Sequence, residues 1–109
     1  MTSLLQDIAQ EVSREFGSTP AAILAPTRGK PEEARARAIA MYVYAKSGAD
    51  VPGKEPCLSA VGRAFGRDRT TVRHAHWRVK CWMVDRAFAR KLSLVQQRVA
   101  AIGYPGGVL

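Results

Sequence analysis

Asp68, Arg69, Thr70, Thr71, Arg73 and His74 fall within seven consecutive residues, and each type brings a defined chemistry. The Asp68 carboxylate can accept from the free backbone N–H groups of the turn that follows, so a helix is expected to start just after it. Val72, Ala75, Val79 and then Trp82 or Met83 repeat at helical spacing, which gives that helix one apolar stripe. Arg69, Thr70 and Arg73 lie off the stripe and point outward. Arginine presents a planar fork of donors that matches guanine O6 and N7 or a phosphate, and threonine presents a hydroxyl beside a methyl that can meet the methyl of thymine. The chemistry available is recognition of bases and phosphates from the first turn of a helix. Each residue also has a plainer use: Asp68 as a cap, the threonines as first-turn fillers, the arginines as a solvated face.

The segment before this helix positions it. Leu58-Ser59-Ala60-Val61-Gly62-Arg63-Ala64-Phe65 is predicted to be a short helix with Leu58, Val61 and Phe65 inward, and Gly66 supplies the turn. A short helix, a tight turn and a longer helix with polar residues in its first turn make a helix-turn-helix. From Arg63 to Lys91 nine arginines and lysines are opposed only by Asp68 and Asp85.

The chain of 109 residues carries 17 Lys+Arg against 9 Asp+Glu, a net charge of +8. That balance favours a polyanionic partner. A membrane surface is disfavoured, because there is no long apolar run and no broad apolar helix face. A single domain, residues 1–109, is expected at this length. Cys57 and Cys81 are isolated, and with no secretory signal they are expected to be free thiols in a reducing cytoplasm. His74 and His76 point to different sides of a helix and lack a Cys-x-x-Cys partner, so no metal is expected. No nucleophile or carboxylate pairs with either histidine, so no enzyme is expected. No G-x-x-x-x-G-K-[ST] loop is present, so neither a nucleotide nor another cofactor is expected.

Three helices are predicted upstream. Ser3 and Gln6 form a capping box ahead of Leu5, Ile8, Ala9, Val12 and Phe16, with Gly17 as the stop. Thr19-Pro20 opens a short turn of helix through Leu24. Pro31, Glu32 and Glu33 start a third helix, with Ala34, Ala38, Met41, Tyr42 and Ala45 as its buried stripe, Arg35 and Arg37 off that stripe, Arg35 within reach of Glu32, and Gly48 as its end. Residues 47–56 hold Gly48, Pro52, Gly53 and Pro56 and are expected to be a flexible loop. Asp85 is predicted to cap a last helix with Phe88, Leu92, Val95, Val99 and Ile102 inward, and residues 103–109 are expected to be a tail.

The run Phe65-Gly66-Arg67-Asp68-Arg69-Thr70-Thr71-Val72-Arg73-His74-Ala75 closely resembles the signature F-G-G-R-D-H-T-T-V-x-H-A of the C-terminal DNA-binding domain of the bacterial replication initiator DnaA. Arg35-Ala36-Arg37-Ala38-Ile39-Ala40-Met41-Tyr42 is similar to that family's a-R-x-i-a-M-Y helix, and Leu58-Ser59-Ala60-Val61-Gly62 to its L-x-x-I-G. The blocks occur in the family's order, between about Leu5 and about Val99. The resemblance implies a compact all-α domain with a helix-turn-helix of the DnaA domain IV, Trp-repressor-like kind, and double-stranded DNA as partner. It implies base contacts from Arg69, Thr70 and Thr71, with Asp68 either accepting from a cytosine amine or only capping. Backbone contacts are implied for Arg37, Leu58, Ser59, Arg67, Arg73 and His74. Arg28 and Lys30 are the candidates for a minor-groove arm, an ordinary solvated loop being the competing reading.

Four departures bear on the target: Arg69 stands where the family has a histidine, one glycine before Arg67 is missing, Ala38 replaces a glutamine, and the connection over residues 47–56 is longer. The expected site is therefore related to the DnaA box but carries a guanine under Arg69. The implied roles are transcriptional regulation or control of replication initiation in a bacterial, nucleoid-associated protein. The alternative is an interaction module that keeps the fold and binds the replication initiator or RNA polymerase.

Overall fold

Side-chain oxygens set four of the helix starts, as their residue types dictate. Ser3 Oγ accepts from the Gln6 N–H at 3.2 Å, Thr19 Oγ1 from Ala22 at 3.1 Å, Asp68 Oδ1 from Thr71 at 2.7 Å, and Asp85 Oδ1 from Ala87 at 2.9 Å. In the computed structural model, which describes residues 3–27, 29–47 and 58–102, these caps open α1 (Leu4–Phe16), α2 (Pro20–Ile23), α5 (Arg69–Trp82) and α6 (Arg86–Ala101). Two more helices, α3 (Pro31–Lys46) and α4 (Leu58–Phe65), complete an all-helical fold with no strand among the described residues. At the start of α3 the Lys30 N–H donates to Glu33 Oε1 at 2.9 Å, and Pro31 occupies the first helical position, where its missing N–H costs nothing. Gly17 ends α1 with φ 98°, a left-handed conformation that suits glycine. Arg28, residues 48–56 of the expected loop and the expected tail lie outside the described residues.

α3 runs through the middle, with α1, α2, α4, α5 and α6 all packed against it. All eight residues from Ala36 to Val43 are buried. The expected single stripe is thus corrected: Ala34 and Ala45 are only half-buried, whereas Ala36, Arg37, Ile39, Ala40 and Val43 join the core. A helix with neighbours on every side has no solvent face to define a stripe. Arg35 is also placed differently, its guanidinium 4.9 Å from the Trp82 ring centroid and 5.7 Å from that of Phe88, a cation–π contact instead of a pair with Glu32.

Phe88, Leu92, Val95 and Val99 of α6 are buried, but Ile102 is 46% exposed and does not face inward as expected. Ile102 still has helical angles, φ −69° and ψ −24°, so its exposure comes from its place one turn beyond Val99, the last buried residue of α6. Arg98 ties α6 to α1 through Glu15 at 3.0 Å and Glu11 at 3.8 Å. Phe16 and Phe88 meet at 5.4 Å between ring centroids.

Candidate nucleic-acid interface

The turn between α4 and α5 is closed by its backbone. The Arg67 N–H donates to the Gly62 carbonyl at 2.8 Å while Gly66 takes φ 66°, the arrangement of a Schellman cap with glycine in the left-handed position. A Cβ on Gly62 would lie 2.5 Å from the Arg67 carbonyl oxygen, so glycine is what lets α4 approach the turn so closely. Phe65 is buried at this junction, edge-on to Tyr44 at 5.8 Å.

Asp68 then caps α5. Its pKa is held below the ordinary carboxylate value, chiefly by the Thr71 backbone N–H, then by the Thr71 side chain, with smaller help from the Thr70 backbone and His74. Val72, Ala75 and Val79 are buried and Trp82 is half-buried, while Met83 is exposed. Arg69, Thr70, Thr71, Arg73 and His74 are all exposed as a result. Five side chains able to touch bases or phosphates therefore project from the first turns of one firmly anchored helix.

A cleft of about 470 Å³ opens beside this surface, lined by Pro26, Arg37, Arg67, Thr71, His74 and Arg78 together with apolar atoms of Ala34, Ala38, Met41 and Ala75. Four of the expected contact residues, Arg37, Arg67, Thr71 and His74, come together here. Among the described residues no acidic side chain lines the cleft, so an anion such as a phosphate fits it. Arg78 belongs to this set and was missed in the sequence. Its position seven residues after Thr71 and four after His74 places all three on one side of α5, which was the available signal.

Two of these arginines do internal work as well. Arg37 was expected to face outward, but it is only 4% exposed. Its Nε donates to the Ile23 carbonyl at 2.9 Å and its Nη2 to the Ala22 carbonyl at 2.8 Å, fastening α2 to α3. Burial pushes its pKa down, the Arg67 guanidinium pushes the same way, and Glu33 opposes both. Arg67 donates to the carbonyls of Ala25, Pro26 and Thr27, each at 3.1 Å, so the segment before α3 is stitched to the turn before α5.

The remaining expected residues lie elsewhere. Leu58 and Ser59 open α4 and do not line the cleft. Lys30 is exposed at the start of α3, and Arg28 is outside the described residues. His76 packs its ring on Tyr42 at 4.8 Å, apart from His74. Among the described residues no three His, Cys, Asp or Glu side chains are grouped as metal ligands, and no helix is long and apolar enough to cross a membrane.

The family model described as the bacterial DnaA protein helix-turn-helix matches residues 5–79. A comparison with curated proteins gives no match.

Proposed function

The chain belongs to the bacterial DnaA helix-turn-helix family, a non-catalytic DNA-binding family, and from that premise we propose that it binds duplex DNA at a specific sequence. Arg69, Thr70 and Thr71 read base edges in the major groove, with Asp68 beside them. One backbone phosphate seats in the cleft, against His74 and Arg78, with the charges of Arg37 and Arg67 beneath it. Arg73 and the start of α4 at Leu58 and Ser59 meet neighbouring phosphates, and Arg28 and Lys30 approach the minor groove. Occupying its site, the protein acts in transcriptional regulation or in control of replication initiation.

What carries this reading is the joint exposure of Arg69, Thr70, Thr71, Arg73 and His74 on a helix whose opposite face is buried. The guanidinium of Arg69 can make a bidentate contact that guanine satisfies best, so the preferred site holds a guanine there and differs from the DnaA box.

Selection of bound duplexes from a random pool at moderate salt, followed by a salt series on the recovered sequence, tests the proposal. A short motif should emerge, and if about six phosphates are neutralised the slope of log affinity against log salt should be about −5. Arg69→Ala should relax the preference at one base pair by about 1–3 kcal/mol. Binding with a slope near zero, or an Arg69→Ala protein that loses affinity equally for every duplex, would reject the assignment.

A further inference from the structure

Trp77 is 66% exposed on α5, and among the described residues no ring or cation packs on it. Because Val72, Ala75 and Val79 face the core, the outward line of this helix runs through Thr70 and Trp77, with Arg73 and His74 on either side. Thr70 and Trp77 are seven residues apart. They share almost the same direction and are separated by about 10 Å along the helix axis. The major groove is about 8.5 Å deep. With α5 entering the groove N-terminus first and Thr70 at the base edges, Trp77 stands at the rim of the groove, where the sugar–phosphate chains run.

A single exposed apolar side chain has no meaning by itself. The height and direction of this one give it meaning, as does its setting: Arg73, Arg78 and Lys80 surround it in the chain, and no acidic residue lies between Asp68 and Asp85. An indole offers a flat apolar face and one N–H donor, which suits a deoxyribose ring and an adjacent phosphate oxygen. Resting on the DNA-binding assignment above, we propose that Trp77 is a second point of DNA contact, packed on a deoxyribose at the groove rim, that fixes how deeply the first turn of α5 enters.

Such a contact displaces no counterion, and this separates it from the arginine contacts. Trp77→Ala should lower affinity for the selected duplex on the order of tenfold by the same factor at every salt concentration, leaving the salt slope unchanged. Trp77→Arg should recover affinity at low salt and steepen the slope by about one. The chain has 2 tryptophans, so in a Trp82→Phe background Trp77 is the sole indole. Its quenching by acrylamide should fall at least by about half when the selected duplex saturates the protein, as burial of a surface side chain requires.

Unchanged quenching, or affinity within twofold of the parent in Trp77→Ala, overturns the inference while Arg69→Ala still loses its base preference. A parental chain that binds no duplex overturns the DNA-binding assignment and this inference together, and is recognised by the absence of any complex before a variant is made.

Discussion

Replacing Arg37 with methionine keeps much of the aliphatic stem and removes the guanidinium that joins α3 to α2. The lost contacts include the hydrogen bonds to the Ile23 and Ala22 carbonyls, at 2.9 and 2.8 Å, each of a charged kind that contributes about 1.5–3 kcal/mol. Against them stands the desolvation of a buried cation, which costs several kcal/mol and cancels much of the gain. The Ala22 carbonyl keeps a second donor, the Ala25 N–H at 3.3 Å. The Ile23 carbonyl loses its Arg37 donor beside a fully buried side chain, at a cost of about 1–3 kcal/mol. A destabilisation of about 2–4 kcal/mol is expected, read from the midpoint of urea unfolding at unchanged m-value. Arg37→Lys, with a charge but no fork, should fall between. Where Arg37→Met is still folded, its salt slope for DNA should be lower by about one, since the charge beneath the cleft is gone. An unchanged urea midpoint would refute this account of Arg37 as the fastening of α2.

Gly62→Ala places a Cβ 2.5 Å from the Arg67 carbonyl oxygen, so α4 must move away from the turn. A loss of about 1–3 kcal/mol with a larger fractional loss of base preference is expected in paired unfolding and duplex-selection measurements, and parental values in both would contradict it. Phe65→Ala empties the buried junction of α4 and α5 and should cost about 3–5 kcal/mol; a stable variant that still binds would mean the junction is held by something else. Asp68, whose pKa is depressed in the fold, contributes stability that is complete above its unfolded pKa of about 3.9 and is lost as pH falls through the lower folded value. Asp68→Asn should remove this part of the acid dependence, and identical acid unfolding profiles for variant and parent would exclude it.

The helix boundaries were legible because their signals are local. Ser3, Thr19, Asp68 and Asp85 cap where their residue types say they should. The inward residues of α5 and α6 followed from their period because each helix has one wet face. α3 defeated the same logic: eight successive buried residues have no period, and Arg37, which lies off the expected stripe, is one of them. The resemblance gave Arg37 and Arg67 only as expected contacts to the DNA backbone. Their carbonyl partners lie in segments 14 to 42 residues away, and residue type does not specify such pairings. The exposed side chains at the start of α5 were fully legible, whereas the cleft was not, because the α2–α3 segment that walls it is brought there by the fold.

The three carbonyls held by Arg67 belong to a segment about 40 residues earlier in the chain. The recognition helix with its turn is not a portable cassette, since moving residues 58–82 into another scaffold would leave the Arg67 guanidinium with the Gly66 carbonyl alone, at 3.4 Å, and the lead-in to Asp68 without its brace. A functional graft has to carry residues 25–27 along with it. By the same logic, a substitution that reshapes the backbone at Pro26 is free to spread, over evolutionary time, only in company with a compensating change at the foot of α5.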